Sequence, residues 1–331
     1  MLTLSCYIEI TTAKGIIQLN QVHNVNIQTS VTEATDTASI SIAKKILIKQ
    51  KDEWATKPIG EVIKAADKVK IQLGYDGKLT TEFIGYVKSV SPKVPLEIEC
   101  EDSMYLLKRS PVNPKHFKNG KLSDVIKYIA PGYKYDILDT ELGKDFIITD
   151  QENTATKVLA MIEEVFGLKS FFKLDIDTPI LIVGKPYLSE LSSTPVKYEL
   201  NRNVISNDLE LQRAEDVELK VEVKSRQANG KYLTAKFKGD TEGDTKSLSI
   251  PGLSQNELEN IAKRLYSGSK QDRFDGSITT FGIPAVKKGY AVEISTKDYE
   301  ITKTVNFVDE VAIDFGINGF RRTIKIGQKA A

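Results

Sequence analysis

The stretch Val69-Lys-Ile-Gln-Leu-Gly-Tyr-Asp-Gly77, followed by residues 83–87 (Phe-Ile-Gly-Tyr-Val) and 96–100 (Leu-Glu-Ile-Glu-Cys), decides the fold of this chain. Apolar residues alternate in all three segments, which is the period of a β strand that buries one face. Asp76 and Gly77 are residue types that tolerate the positive φ angles of a tight hairpin turn. The three segments therefore predict an antiparallel meander.

Alternation of the same period extends outward from this meander in both directions. Residues 25–27 and 38–42 precede it, whereas residues 54–66 interrupt it and predict a short helix or a covering loop. The C-terminal part alternates over residues 217–223, 232–237, 290–294, 301–308, 310–315 and 320–326. Both ends of the chain are therefore predicted to be rich in β strands.

Two of these strands are alike. Residues 66–73 read Ala-Asp-Lys-Val-Lys-Ile-Gln-Leu, and residues 288–294 read Lys-Gly-Tyr-Ala-Val-Glu-Ile. Each is approached through a polar turn and is followed by a hairpin and further β passes, as an internal duplication predicts. Simple β alternation produces as much likeness, so both interpretations stay open at this stage.

The middle of the chain has a different character. Residues 122–130 and 154–166 have helical spacing, and residues 171–174 and 180–183 form two apolar strands. A further helix is predicted after Ser254, because a glutamate follows it at the capping-box spacing. The predicted fold is mainly β, with β-rich parts at residues 1–110 and 201–331 and a small α+β insertion at residues 111–200.

Composition and charge exclude several classes of protein. The chain has 331 residues, with 46 Lys and Arg against 45 Asp and Glu, whereas a dedicated nucleic-acid binder normally carries a basic excess. The N-terminus has no signal-peptide pattern, and no apolar run approaches the ~18 residues of a membrane span. The two cysteines, Cys6 and Cys100, are expected to be buried thiols, since no secretory context supports a disulfide. The expected location is the cytoplasm in which the chain is synthesised and assembled.

Few residues are candidates for catalysis or cofactor binding. His23 and His116 are the only histidines, and neither has a partner at metal-ligand spacing. The glycines fit neither phosphate-loop pattern. Histidine-based triads, zinc sites and dinucleotide chemistry are therefore not predicted.

Carboxylates are the one reactive group present in number, and most are expected on solvated faces or in turns. Glu97, Glu99 and Glu101 are predicted on one solvated strand face, with Asp102 as the cap of the next turn. The others considered are Glu163 and Glu164 on the polar side of a helix, Asp175 and Asp177 in a turn, and Asp240, Glu242 and Asp244 in a loop that could attract a cation. That loop lacks the length and final glutamate of an EF-hand. No catalytic, cofactor-binding or metal-binding residue is predicted.

Basic residues are scattered rather than clustered, and most are expected on solvated faces. Those considered are Arg202, Arg213, Arg226, Lys263, Arg264, Arg273, Arg321 and Arg322.

The order of the motifs resembles that of phage late control protein D and the baseplate hub proteins of contractile tails. The first part carries a strand ending in Gly-Tyr, then Phe-x-Gly-x-Val, the acidic strand at residues 96–102 and Tyr105-Leu-Leu107. The second part carries the capped helix at residues 253–265, the stretch from Asp275 to Pro284 with the strand at residues 288–294, and a closing strand at residues 319–327. The family is related to the hub part of type VI secretion spike proteins.

The resemblance implies a structural role without catalysis or cofactor. Such a hub contains two barrels similar to the tail-tube protein, so a homotrimer presents six barrels and joins a six-fold tube to a three-fold spike. The expected partners are the tail tube or its initiator protein, other baseplate components and a spike that is a separate chain, since this one ends soon after its closing strand. DNA or protein cargo is expected only to pass through the lumen, and the expected location is the baseplate of a virion tail or injection system.

Two other functions stay open. A tail-associated cell-wall hydrolase would require a convergent pair of carboxylates in a cleft. A receptor-binding or carbohydrate-binding tail protein would require a surface cluster of aromatic residues, for which the single Trp54 and the dispersed tyrosines provide little support.

Overall fold

The computed structural model describes residues 2–43, 45–50, 53–58, 62–142, 145–184, 194–216, 218–227, 230–238, 243–250, 252–270, 273–297 and 303–329. Within these ranges the N-terminal part is built from strands alone. They are β1 Leu4–Thr12, β2 Gly15–Leu19, β3 Asn24–Ser30, β4 Thr37–Ile42, β5 Lys45–Gln50, β6 Glu53–Pro58, β7 Lys68–Tyr75, β8 Lys78–Ser91 and β9 Leu96–Glu101.

Helices and short strands alternate in the middle part. They are α1 Met104–Leu107, β10 Lys115–Lys118, α2 Leu122–Ile129, β11 Lys134–Ile137, β12 Asp145–Ile148, α3 Ala155–Phe166, β13 Lys169–Asp175 and β14 Thr178–Gly184. Helix α3 ends as its sequence predicts, because Gly167 adopts the left-handed conformation that closes a helix.

The described C-terminal part returns to strands, with one α-helix among them and a short 3-10 helix at Ala214–Asp216. The elements are β15 Val196–Glu199, β16 Val204–Asn207, β17 Glu210–Gln212, β18 Leu219–Arg226, β19 Tyr232–Lys238, β20 Asp244–Ser249, α4 Gln255–Ser269, β21 Arg273–Phe281, β22 Ala291–Ser295, β23 Lys303–Gly316 and β24 Gly319–Lys329. The predicted capping box begins α4, where the Glu257 carboxylate accepts hydrogen bonds from the backbone N–H and the hydroxyl of Ser254.

One sheet of 14 strands joins the two ends of the chain. Its order is β16-β21-β24-β23-β3-β4-β9-β8-β7-β1-β2, with β15, β17 and β22 attached beside this path. The junction is the antiparallel pair of β23 and β3, whose register runs from Glu310 opposite Ser30 to Gly316 opposite Asn24. The N-terminal and C-terminal strands are therefore parts of a single hydrogen-bonded surface.

The strand order repeats within this sheet. The N-terminal strands follow the order β3-β4-β9-β8-β7-β1, and their C-terminal counterparts follow β16-β21-β24-β23-β22-β15. The last pair differs in direction, because β1 and β7 are antiparallel whereas β15 and β22 are parallel. The repeat of pairing favours the internal duplication over chance alternation.

Local details of the backbone repeat as well. Ala66 and Gly289 have φ angles of 73° and 75°. The Ala66 N–H donates to the carbonyl oxygen of Val87, and the Gly289 N–H donates to that of Val308. The register then shifts directly after Val87 in β8 and directly after Val308 in β23. These matches align β7 and β8 with β22 and β23 residue by residue.

Three apolar cores hold the described elements. The largest belongs to the 14-stranded sheet and takes side chains from both ends of the chain, for example Ile40, Ile98 and Ile324, which are all fully buried. A second core packs α2 and α3 against β13 and β14, and a third packs α4 against β18–β20. The predicted fold class, mainly β with a small α+β part, is confirmed, while barrel closure and the boundaries at residues 110 and 200 stay predictions.

Two predicted segments differ from the structure. Residues 54–66 were predicted as a short helix or loop, but Glu53–Pro58 is strand β6, which pairs with β5 in a hairpin that satisfies the backbone groups on the facing edges of the two strands. Residues 301–308 and 310–315 were predicted as separate strands, but Lys303–Gly316 is one strand that continues through a register shift. Among the described residues, no helix is long and apolar enough to cross a membrane.

Candidate functional site

The solvent-facing side of the 14-stranded sheet is an extended polar surface. Alternation along each strand directs isoleucine, valine and phenylalanine into the core and leaves short polar residues on the other side. One row crosses six strands in register. It consists of Arg321, Asp314, Asn26, Ser39, Glu99 and Ser89.

Two further sets of side chains lie on this polar face, on either side of that row. One set is Asn24, Ser41, Glu97 and Ser91, and the other is Thr279, Thr323, Ala312, Gln28 and Thr37, with Ser277, Lys325 and Glu310 beyond it. These residues are partly or fully exposed. The polar face is therefore wide and hydrophilic, because short side chains leave the sheet surface open to water.

Hydrogen bonds hold the charged groups of the polar face. Glu97 accepts from Ser39 Oγ at 3.0 Å and from Lys93 Nζ at 2.7 Å, and both contacts lower the pKa of the Glu97 carboxyl. Glu99 accepts from Ser89 Oγ at 2.9 Å. The carboxylates of Glu97, Glu99, Glu310 and Asp314 share this face with the basic groups of Arg321 and Lys325, and Lys93 contacts Glu97.

A buried ion pair joins the two ends of the chain beneath the polar face. Arg322, with 0% of its surface exposed, forms a bidentate contact with Glu82, at 2.7 Å from Nη2 to Oε1 and 3.1 Å from Nη1 to Oε2. The same guanidinium donates to the carbonyl oxygens of Gly282 and Val286. All five guanidinium N–H groups therefore have a partner, which is what a fully buried arginine requires.

A second buried cluster lies at the same junction. Lys288 Nζ donates to Asp36 Oδ1 at 2.6 Å and to the Ser30 carbonyl oxygen at 2.9 Å, and it lies 4.8 Å from the centre of the Phe171 ring. Asp102 is also buried in this cluster, and its Oδ1 accepts from a backbone N–H. Burial and the neighbouring Asp36 charge raise the pKa of Asp102 to about 8, so this carboxyl is mostly protonated at neutral pH.

The two buried clusters orient the parts of the chain relative to one another. Both join a residue of the N-terminal strands to a residue of the C-terminal part, and the directional geometry of a bidentate pair tolerates little displacement. The middle part is attached as well, since Asp177 accepts from Thr81 Oγ1 at 2.5 Å and from Lys70 Nζ at 2.8 Å. The polar face is therefore supported by a rigid, three-way junction.

The prediction that the carboxylates of strand β9 lie on a solvated face needs one correction. Glu97 and Glu99 lie on the polar face as expected, but Glu101 is buried beneath Lys88 and Lys108, whose ammonium groups lie 2.9 and 2.7 Å from its carboxylate. Its alternation phase is that of the solvated face, but Lys88 from β8 and Lys108 at the end of α1 cover it. Asp102 has the predicted capping role, because it accepts from the Met104 N–H.

The other predicted acidic residues are structural wherever they are described. Asp175 and Asp177 flank the turn between β13 and β14 as predicted, and Glu163 forms an ion pair with Lys169 beside the exposed Glu164. Asp240 and Glu242 lie outside the described residues, so a cation at the loop with Asp244 stays a hypothesis. Within the described ranges, no three His, Cys, Asp or Glu side chains are grouped as metal ligands would be.

The histidines and cysteines form no reactive pair in the described structure. His23 is exposed, and His116 Nε2 lies 2.6 Å from Asp145 Oδ1 on the surface. Cys6 and Cys100 are both free thiols, and Cys100 is buried as predicted, whereas Cys6 is only partly buried. Burial raises the pKa of Cys100 to about 12, so this thiol is inert at neutral pH. The side chain of Trp54 lies outside the described residues.

Arg322 is the residue that the sequence interpretation missed. It was grouped with the scattered basic residues that were mostly expected on solvated faces, but it is fully buried, whereas its neighbour Arg321 is exposed. The signal was its alternation phase, since Arg322 shares the phase of Phe320 and Ile324, which belong to the core. A charge at an apolar phase requires a buried partner, and here it is Glu82.

The fold described here is shared with known structures of phage tail and type VI secretion proteins. No protein-family model matches the sequence, and a comparison with curated proteins likewise finds no match. The tail protein from Neisseria meningitidis MC58 has a TM-score of 0.64 and 16% sequence identity over 98% of this chain and 96% of that one. The 43 kDa tail protein of prophage MuSo2 from Shewanella oneidensis has a TM-score of 0.59 and 15% identity over 97% and 98% of the two chains.

A third similar structure comes from a secretion system. The E. coli c3393 protein, described as a component of the type VI secretion system with similarity to T4 tail proteins gp27 and gp5, has a TM-score of 0.56 and 10% identity over 94% of this chain and 74% of that one. At these identities the likeness is one of fold. The resemblance inferred from the motifs is thus confirmed at the level of the fold.

Proposed function

We propose that this chain is the structural hub of a contractile phage tail or a related injection system, which joins the tail tube to the central spike. The observation that carries the proposal is the repeated strand order within one continuous sheet. A chain that contains two equivalent units can contribute two positions to a ring. Three such chains present six similar positions while retaining three-fold symmetry, so they can match a six-fold tube on one side and a three-fold spike on the other.

The polar face supports the role of a channel lining. A lumen through which DNA or a protein cargo passes must be wettable and must not bind the cargo firmly. Short hydroxyl and amide side chains cover this face, and the carboxylates of Glu97, Glu99 and Asp314 lie among them. Because like charges repel, these carboxylates disfavour adhesion of a phosphate backbone.

The proposed role is structural rather than catalytic. The carboxylates of the polar face are distributed along an open sheet and are not gathered in a cleft. Asp36 and Asp102, which do interact, are buried at 7% and 4% exposure, and Lys288 Nζ donates to Asp36 Oδ1. Neither arrangement favours the hydrolase alternative, and no described cluster of exposed aromatic residues favours a receptor-binding role.

The proposed partners follow from the adaptor role. They are two further copies of this chain, a tail tube or tube-initiator protein, other baseplate components and a separate spike protein. Similar structures include proteins described as PdpA-VgrG complexes from Francisella, with a TM-score of 0.60 for the half-lidded form, and this likeness supports a place in the baseplate of a tail or injection system.

The mass of the purified chain in solution, measured by light scattering together with particle images at the same concentration, tests this proposal. A particle of three chains with a central hole and six similar outer lobes is expected. If the isolated chain is monomeric, the measurement is repeated with the spike and tube proteins added, where the ring must form. A stable dimer without a channel, or no ring in the presence of both partners, would contradict the hub function.

A further inference from the structure

Strand β8 carries a free edge at its end. Its first residues pair with β7 on one side, and its last residues pair with β9 on the other. Beyond Val87, whose backbone groups bond to Ala66 and Asp67, no described strand pairs with the edge opposite β9. Residues Ser89 to Ser91 therefore present backbone hydrogen-bonding groups without a strand partner, which is a template for adding a strand.

The equivalent edge in the C-terminal part is occupied. The backbone matches described above align Ser89, Val90 and Ser91 with Glu310, Val311 and Ala312. Those three residues of β23 pair with Ser30, Thr29 and Gln28 of β3. On β23, the junction between the two halves of the chain thus occupies the edge that is equivalent to the free edge of β8.

The strand equivalent to β3 also has a free edge. Ile98 and Ile324 are the partners of Val90 and Val311, and they pair in turn with Ile40 and Ile278. Ile40 and Ile278 are therefore equivalent positions.

The counterpart of β3 follows from the residues that lie three positions before Ile40 and Ile278 in the sequence, which are Thr37 and Asp275. Thr37 pairs with Gln28, and Asp275 pairs with Glu210. Strand β16 matches the start of β3, since Asn207 pairs with Ile278 as Val25 pairs with Ile40, and strand β17, Glu210–Gln212, corresponds to the end of β3, Gln28–Ser30. In the described chain β17 pairs with β21 alone, so its outer edge is open.

We propose that these two edges join neighbouring copies of this chain, β8 of one copy pairing antiparallel with β17 of the next. The register copied from the β23–β3 junction places Ser89 opposite Gln212, Val90 opposite Leu211 and Ser91 opposite Glu210. This contact rests on the proposed ring and specifies how its subunits meet. Because the two edges are different surfaces, the contact is head-to-tail, which excludes a two-fold dimer and builds a ring when the rotation between copies closes after three chains.

The side chains at the two edges suit this pairing. Val90 and Leu211 both pack against the apolar core from its margin and stay partly exposed in the single chain. In the proposed register they are direct neighbours, so pairing completes their burial, as Val311 is buried at the internal junction. Ser91 and Glu210 lie on the polar face, where a contact between a hydroxyl and a carboxylate extends the hydrophilic surface across the subunit boundary.

Cysteine cross-linking in the full chain tests the register. Cys6→Ala removes the accessible thiol, while Cys100 stays buried. The matched variant is Ser91→Cys with Glu210→Cys, which the proposal places directly opposite within disulfide distance. The control is Ser89→Cys with Glu210→Cys, because diagonal positions lie about 7–8 Å apart, beyond the usual disulfide range. Gln28→Cys with Ala312→Cys reports the internal junction by an intramolecular disulfide.

The expected result is that the matched variant cross-links between chains roughly tenfold faster than the diagonal control under mild oxidation, with products ending at three chains. Light scattering on the same samples, over concentrations rising to about 1 mM, separates the two proposals. If a ring forms but the matched variant does not cross-link faster than the diagonal control, the strand contact is overturned and the hub function stands. If neither a ring nor a cross-link forms after the spike and tube proteins are added, both proposals are overturned, and products that end at two chains would overturn the head-to-tail contact.

Discussion

Replacing Arg322 with methionine should destabilise the chain more than a substitution of comparable size at any exposed residue. The change keeps an apolar stem in the core but leaves the Glu82 carboxylate, 8% exposed, without its bidentate partner. It also removes the donors that serve the carbonyl oxygens of Gly282 and Val286. Removing one member of a buried ion pair costs about 3–5 kcal/mol, and a neutral hydrogen bond contributes about 1 kcal/mol. We expect a loss of about 4 kcal/mol in the free energy of unfolding.

Urea denaturation followed by circular dichroism measures this loss, and the neighbouring residue supplies the control. Arg321→Met alters an exposed side chain and should change the free energy of unfolding by less than about 0.5 kcal/mol. The double variant Glu82→Leu with Arg322→Met removes both charges and should recover most of the stability. A loss below about 1 kcal/mol for Arg322→Met, or an equal loss for Arg321→Met, would refute the assigned role of the buried pair.

Three further predictions concern other parts of the chain. Burial and the neighbouring Asp36 raise the pKa of Asp102 to about 8, so the folded chain holds a proton that the unfolded chain releases near pH 4. The free energy of unfolding should therefore fall as the pH rises from about 4 to about 8, by up to about 1.4 kcal/mol per pH unit. Above pH ~8 it should level off. Asp102→Asn should remove this slope in urea titrations, and an unchanged slope would contradict the assignment. Ser254→Ala should remove the capping box of α4 and lower the free energy of unfolding by about 1 kcal/mol. Amide exchange in the first turn of α4 should become faster, and unchanged exchange would disprove this prediction. A maleimide at pH ~8 should label Cys6 well before Cys100 in the folded protein and both alike in urea, whereas equal labelling of the folded chain would show that Cys100 is not buried.

Much of the secondary structure could be predicted because it depends on short-range patterns. Helix α3 ends at a left-handed Gly167 and α4 begins at the Ser254 capping box, and both signals act within one helical turn. The strand segments at residues 69–73 and 96–100 were predictable since a period of two needs no knowledge of the partner strand. The order of the motifs also indicated the family resemblance whose fold the structure confirms.

The pairing of β23 with β3 could not be predicted, because nothing in either strand specifies its neighbour. An antiparallel partner needs only a free edge and a matching apolar face, and several strands of this chain provide both. Val25–Asn–Ile27 was predicted as a strand, yet its pairing with Ile313 and Phe315 depends on the packing of a core shared by both ends of the chain. The burial of Glu101 was missed for the same reason, since a distant lysine and a following helix cover it.

By itself the sequence determined the periodic elements, their caps and turns, and the mainly β class of the protein, because each depends on residues close together along the chain. Only the tertiary structure decided that Arg322 meets Glu82, that Lys288 meets Asp36, and that the two ends of the chain form one polar-faced sheet. These features join residues more than 200 positions apart. Their partners are selected by burial and by the requirement that every buried charge find a complementary group, which is a property of the packed core.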